Sequence, residues 1–107
     1  MKNKKKKAVL KLNIADEVYR VYHVKCIDKD PKVYGVCDPE THEIFIREGQ
    51  SSMGYLRTLI HETIHALEEE YKIKIKHKSV HKLEHAIASF IIDNANLLST
   101  LTKKGTT

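Results

Sequence analysis

A chain of 107 residues with 41% hydrophobic side chains has room for one small domain and excludes a second core. No apolar run approaches the roughly 20 residues of a membrane-spanning helix, so we do not expect an integral membrane protein. The net charge of +5 belongs to the N-terminus, because Lys2 and the four lysines at residues 4–7 account for the whole excess of basic over acidic side chains.

The lysine run predicts a basic, disordered arm over residues 1–7. Such an arm can attach a protein to nucleic acid through phosphate contacts, although a solvated tail is the commoner outcome. No Gly-rich loop or aromatic interleaving accompanies the lysines, so the sequence offers little further support for a nucleic-acid partner. The apolar stretch at residues 8–10 ends at Lys11 and is too short for a signal peptide, which predicts a cytoplasmic protein.

The next part of the chain has the pattern of β-strands. Residues 9–14 alternate apolar with polar side chains and residues 18–24 are rich in β-formers, so a turn at Ala15 and Asp16 predicts a hairpin. Residues 33–36 predict a short strand, followed by a turn over residues 38–41 and a strand at residues 43–47. Cys26 and Cys37 form no CxxC pair, and we expect free thiols rather than a disulfide.

An HExxH motif, made by His61, Glu62 and His65, follows these strands. Ser51 and Ser52 are candidate N-caps of a helix over about residues 52–70. Apolar residues recur along it at helical spacing: Leu56, Leu59, Ile60, Ile64 and Leu67. Residues four apart lie about 40° apart around a helix axis, so both imidazoles can bind one metal ion. Glu62 falls on the flank of that face, where its carboxylate can take a proton from a metal-bound water.

A third metal ligand is needed, because catalytic zinc sites usually have three protein ligands and one open position. A second helix is predicted over about residues 79–98. Its expected buried stripe consists of Leu83, Ala86, Ile87, Phe90, Ile91 and Leu97. Glu84 borders this stripe, where an unpaired carboxylate is costly, and is therefore the favoured third ligand. His81, one turn earlier, is the rival ligand, while His77 and His85 are further candidates for a ligand or an oxyanion stabiliser.

At these residues the chain resembles the gluzincin branch of the zincins, in which a glutamate on the following helix completes the HExxH site. It is also similar to small HExxH proteins of bacteriophages and prophages that are described as metallopeptidases. The similar segments are residues 34–39, 44–46, 59–62, 75–77, 83–84 and 93–94. The resemblance implies that His61, His65 and Glu84 bind zinc and that Glu62 is the general base. It also implies that the strand at residues 43–47 binds an extended peptide along its edge.

The predicted fold class is α+β: a small antiparallel or mixed sheet packed on the HExxH helix and a second, C-terminal helix, with zinc between the helices. This minimal zincin-like domain covers residues 8–100, and residues 101–107 are a predicted flexible tail. The favoured function is a zinc metallopeptidase that hydrolyses a peptide or protein substrate through a Glu-activated, zinc-bound water. A phage origin would place it in the host cytoplasm.

The alternative is a zinc-binding regulatory or interaction protein without turnover, associated with nucleic acid through its lysine arm. Neither the substrate nor the oligomeric state can be derived from the residues.

Overall fold

The computed structural model describes residues 7–103, and its fold is α+β as predicted. Four strands come first: β1 (Leu10–Ile14), β2 (Glu17–Val24), β3 (Gly35–Asp38) and β4 (Glu43–Arg47). Three helices follow: α1 (Ser52–Tyr71), α2 (His77–Asp93) and α3 (Ala95–Thr102). The predicted arm lies outside the described residues except for Lys7, as does the predicted tail beyond Lys103. Helix α3 reaches Thr102, past the domain boundary predicted at residue 100.

The strands form one mixed sheet in the order β1-β2-β4-β3. The predicted hairpin of β1 and β2 turns through Ala15 and Asp16, whose φ angles of 51° and 70° are those that a type I′ turn requires. Strand β4 runs parallel to β2 and antiparallel to β3. The prediction that residues 43–47 bind a peptide along a free edge is therefore wrong, because β4 is paired on both sides. The edges of the sheet are β1 and β3.

Helix α1 has the bounds that its sequence predicts. The Ser51 side chain caps it by accepting a hydrogen bond from the Gly54 amide at 3.0 Å, which satisfies one of the free N–H groups of the first turn. The helix ends at Tyr71, and the next residue, Lys72, caps it in the left-handed conformation with φ 56°. One face of α1 covers the sheet. The buried core between them consists of Ile14, Tyr19, Val21, Ile44, Ile46 and Ala66.

The opposite face of α1 covers α2. A second buried cluster lies between these helices and consists of Ile60, Ile64, Val80 and Ala88. Within the described residues, α2 packs against α1 and α3 and not against the sheet. The expectation of a sheet packed on two helices is therefore corrected to three layers: sheet, α1 and α2. Only α1 spans both cores, because it is the helix with buried residues on both faces.

The face that α2 buries differs from the predicted stripe. Of that stripe, Ile87 and Ile91 are partly buried against α1. Its remaining members are exposed: Leu83, Ala86, Phe90 and Leu97. The residues buried on α2 are Val80, Glu84 and Ala88. Val80 and Ala88 thus face α1, whereas Leu83 and Phe90 point to solvent.

The helix predicted over residues 79–98 is two helices, separated at Asn94. The Asn94 side-chain amide donates to the Phe90 carbonyl at 2.9 Å, a side-chain contact with the backbone of the kind that competes with regular helix. Helix α2 also begins two residues earlier than predicted, so His77 is its first residue. Across residues 7–103, none of the helices combines the length and the apolar character needed to cross a membrane.

Candidate metal centre

His61 and His65 lie on the face of α1 that meets α2, and their rings converge. The two Nε2 atoms are 3.1 Å apart and the ring centroids 4.7 Å apart. Two nitrogen ligands at 2.0–2.1 Å from a tetrahedral zinc ion would be about 3.3 Å apart. The HExxH pair therefore has the spacing that one zinc ion requires.

The other nitrogen of each ring meets a carboxylate. His61 Nδ1 donates to Glu84 Oε1 at 2.5 Å, and His65 Nδ1 donates to Glu68 Oε1 at 2.8 Å. Ionised carboxylates only accept hydrogen bonds, so each Nδ1 carries the ring proton and each Nε2 keeps its lone pair. Contacts of this kind fix the tautomer and orientation of metal-binding histidines. Both rings thus present Nε2 to the same point.

Glu68 joins this site to the loop between α1 and α2. Its Oε2 accepts the Ile75 amide at 2.7 Å, and this bond, followed by the one from His65, holds the pKa of Glu68 below its usual value. The sequence reasoning missed Glu68. Its position three residues after His65 on a helix was the available signal, because such residues are neighbours.

Glu84 is only 8% exposed, and side chains from both helices surround it. Arg57 Nη2 is 3.4 Å from Glu84 Oε2, and His81 Nδ1 is 3.6 Å from Glu84 Oε1. The charge of this buried carboxylate therefore has protein partners in Arg57 and His61. Arg57 was also missed by the sequence reasoning. Its contact depends on how α2 packs on α1, for which the sequence holds no local signal.

Two sets of three potential ligands come together in the part of the chain that the structure describes, and both contain His61. One set is His61, His65 and His77; the other is His61, His81 and Glu84. In each, the donor atoms lie within 4.8 Å of one another. The predicted set of His61, His65 and Glu84 is not among them, because Glu84 meets the far side of the His61 ring. His85 is exposed and belongs to neither set.

The Glu62 side chain lies against strand β3. It is 6% exposed, and burial raises the pKa of its carboxyl to about 7, with His65 acting in the opposite direction. A side chain at Gly35 would place its Cβ 2.7 Å from Thr58 Cγ2 and 3.2 Å from Glu62 Oε2. Glycine at this position therefore allows β3 to lie against α1 beside the Glu62 carboxylate.

Among residues 7–103, no strand pairs with the outer edge of β3, the strand beside Glu62. The Arg47 amide donates to the Tyr34 carbonyl at 2.9 Å, so Tyr34 is hydrogen-bonded to β4. Gly35 and Cys37 lie one and three residues further along β3 and occupy the positions that are not hydrogen-bonded to β4. Backbone groups of alternate residues point to opposite sides of a strand, so Gly35 and Cys37 direct theirs away from β4. Burial of the His61 ring lowers its pKa, although Glu84 acts in the opposite direction.

No protein-family model, no curated protein and no solved structure matches this chain. The resemblance to gluzincins and to phage HExxH proteins therefore stays a prediction that rests on the motif residues. The protein is an α+β domain. A cluster of His and Glu side chains between its first two helices could hold a metal ion.

Proposed function

We propose that this protein is a metal-dependent hydrolase of peptide bonds, with zinc as the resident ion. The observation that carries the proposal is the pair of His61 and His65 Nε2 atoms, 3.1 Å apart with both Nδ1 atoms held by carboxylates. Two imidazole lone pairs that face each other at this distance repel unless a proton or a metal ion lies between them. Imidazole nitrogen is a good ligand for zinc, and α2 supplies further donors for a third ligand.

Zinc, when bound, supplies Lewis acidity at the substrate carbonyl and lowers the pKa of a water molecule beside it. The chain's own contribution to proton transfer is Glu62. Its carboxylate takes a proton from the water as the oxygen attacks the carbonyl carbon, and returns that proton to the amine nitrogen as the C–N bond breaks. His61 and His65 would hold the ion, and Glu68 and Glu84 would hold their rings.

The open edge of β3 supports a peptide as the substrate. The backbone groups of Gly35 and Cys37 point outward from this edge, and the Glu62 carboxylate lies against the same strand. An extended peptide that pairs with β3 would gain main-chain hydrogen bonds without any requirement for a particular side chain. Its carbonyl groups would then pass close to Glu62.

A Glu62→Gln variant tests the proposed reaction. The amide keeps the shape of the side chain but cannot accept the proton, so we expect the variant to bind one zinc ion per chain and to lose about 100-fold or more of its kcat/KM. The measurements are zinc content and hydrolysis of a mixture of fluorescence-quenched peptides.

The matched control is Glu69→Gln, an exposed glutamate on the same helix whose ion pair with Lys72 lies at the surface. It should hydrolyse the peptides as the wild type does. Equal activity in Glu62→Gln and wild type would overturn the proposed role of Glu62, and a zinc-loaded wild type without any turnover would overturn the hydrolase.

A second function, a metal-stabilised binding protein without turnover, is favoured by one observation. Helix α2 is packed on α1 but not on the sheet, and the His/Glu cluster lies between these two helices. A metal ion there would join α2 to the rest of the fold, whether or not it takes part in a reaction. Under this function the Glu62→Gln variant would keep the full biological effect of the protein.

A further inference from the structure

We infer that His77 is the third metal ligand, and that Glu84 is a positioning residue that holds the His61 ring instead of binding the ion. The inference rests on the proposed metal site and departs from the ligand set that the motif alone implies. It follows from the directions in which the two nitrogens of His61 point.

An imidazole ring has its two nitrogens on diverging sides, so partners of Nδ1 and of Nε2 lie far apart. His61 uses Nδ1 for Glu84 at 2.5 Å and turns Nε2 to His65 at 3.1 Å. An ion bound between the two Nε2 atoms is therefore out of reach of the Glu84 oxygen that holds Nδ1. The same contact pattern on His65, with Glu68 at Nδ1, places the ion on the same side.

Glu84 is also committed to other partners. Arg57 approaches its second oxygen at 3.4 Å from α1, so both carboxylate oxygens are engaged by side chains of that helix. A carboxylate that accepts from a ligating histidine raises the basicity of that ligand and fixes its orientation. This role accounts for the burial of Glu84 without placing it in the coordination sphere.

His77 is the donor of α2 that lies on the correct side. Its donor atom falls within 4.8 Å of those of both His61 and His65, whereas His81 forms its set with His61 and Glu84. The His77 ring is stacked near parallel to that of His65, with ring centroids 6.1 Å apart and an angle of 14° between their planes. As the exposed first residue of α2, His77 has room to close the remaining distance to an ion.

The loop between the helices sets the position of His77. The Ile75 amide donates to Glu68 Oε2, and the other oxygen of Glu68 accepts from His65. One carboxylate thus fixes both an HExxH ring and the backbone two residues before His77. Glu68 is the second positioning residue of the site.

A pair of alanine variants tests this ligand set. His77 and His81 are both exposed and lie one turn apart on α2, so neither substitution should disturb the fold. We expect His77→Ala to weaken zinc binding by about 100-fold or more and His81→Ala to change it by less than about 3-fold. Zinc affinity is measured by competition with a chromophoric chelator, with circular dichroism as the check on folding.

Two further readouts separate a ligand from a positioning residue. Glu84→Gln should keep one zinc ion per chain, because its amide oxygen still accepts a hydrogen bond from His61. Loss of the carboxylate charge should lower the zinc affinity by about 10- to 100-fold. In ¹⁵N spectra of the zinc-loaded protein, His61 should bind metal through Nε2 and carry its proton on Nδ1.

Metal on Nδ1 of His61, a larger loss from His81→Ala than from His77→Ala, or zinc binding abolished by Glu84→Gln would each overturn the inference. These results are distinguishable from failure of the proposed function. A wild type that binds no zinc would overturn both, while a wild type that binds zinc through these ligands without turnover would overturn the hydrolase alone.

Discussion

Glu62, Glu68 and Glu84 lie near the HExxH histidines in different environments. Each environment suits either proton transfer or the positioning of a histidine ring. Glu62 is buried beside a strand, which raises its pKa to about 7 and favours a group that exchanges protons near neutrality. Glu68 accepts two N–H groups, which lowers its pKa and keeps it ionised as a fixed acceptor. Glu84 is buried between Arg57 and His61, where its charge is compensated. Local contacts, and not residue type, separate the proposed proton carrier from the two positioning residues.

The two cysteines also differ by environment, and this gives a prediction about pH. Burial, reinforced by Glu62, raises the pKa of Cys37 from 9.0 to about 12, whereas Cys26 is exposed. At pH 8 we expect iodoacetamide to label Cys26 promptly and Cys37 only when the protein unfolds, because the thiolate is the reactive form. Peptide mapping by mass spectrometry measures both rates. Labelling of Cys37 as fast as Cys26 would contradict the partly buried position of Cys37.

The same raised pKa affects stability in alkali. The folded state keeps the Cys37 proton after the unfolded chain has lost it, so the folded state binds more protons between the two pKa values. The free energy of unfolding should therefore fall as the pH rises from 9 towards 12, and Cys37→Ala should reduce this decline.

At the scale of elements, local sequence signals predicted helix α1 and the β1–β2 hairpin. Ser51 and the apolar spacing predicted α1, and the alternation before Ala15 predicted the hairpin, because caps, turns and periodicity act within a few residues. The buried face of α2 was not predictable in this way. Its sequence offers two apolar faces, and which one is buried depends on α1, the neighbour it packs against. The position of β4 inside the sheet is likewise set by long-range pairing.

The rotated face of α2 gives a prediction at this scale. Val80 is fully buried against α1, while Phe90, which the apolar pattern favours for burial, is 58% exposed. Val80→Ala should therefore lower the free energy of unfolding by about 2 kcal/mol, and Phe90→Ala by less than about 1 kcal/mol. Urea denaturation of the metal-free protein measures both. A larger loss from Phe90→Ala would show that α2 buries the face predicted from its sequence.

At the scale of the whole molecule, the layer order determines what a metal ion would do. The sheet and α1 share a core that includes Tyr19, Val21 and Ile44, whereas α2 is attached through a smaller cluster with α1. The His/Glu cluster lies at this second interface. An ion bound there would stabilise the folded state by mass action, because it would link α2 to α1.

The thermal unfolding midpoint of the metal-free protein, with and without excess free zinc, tests the central claim that His61 and His65 hold one ion. A free zinc concentration of about 100 times the dissociation constant adds about 2.7 kcal/mol, so zinc should raise the midpoint of the wild type by on the order of 10 °C or more. The His65→Ala variant should show almost no rise. No rise in the wild type, or an equal rise in His65→Ala, would contradict the metal centre described for these residues.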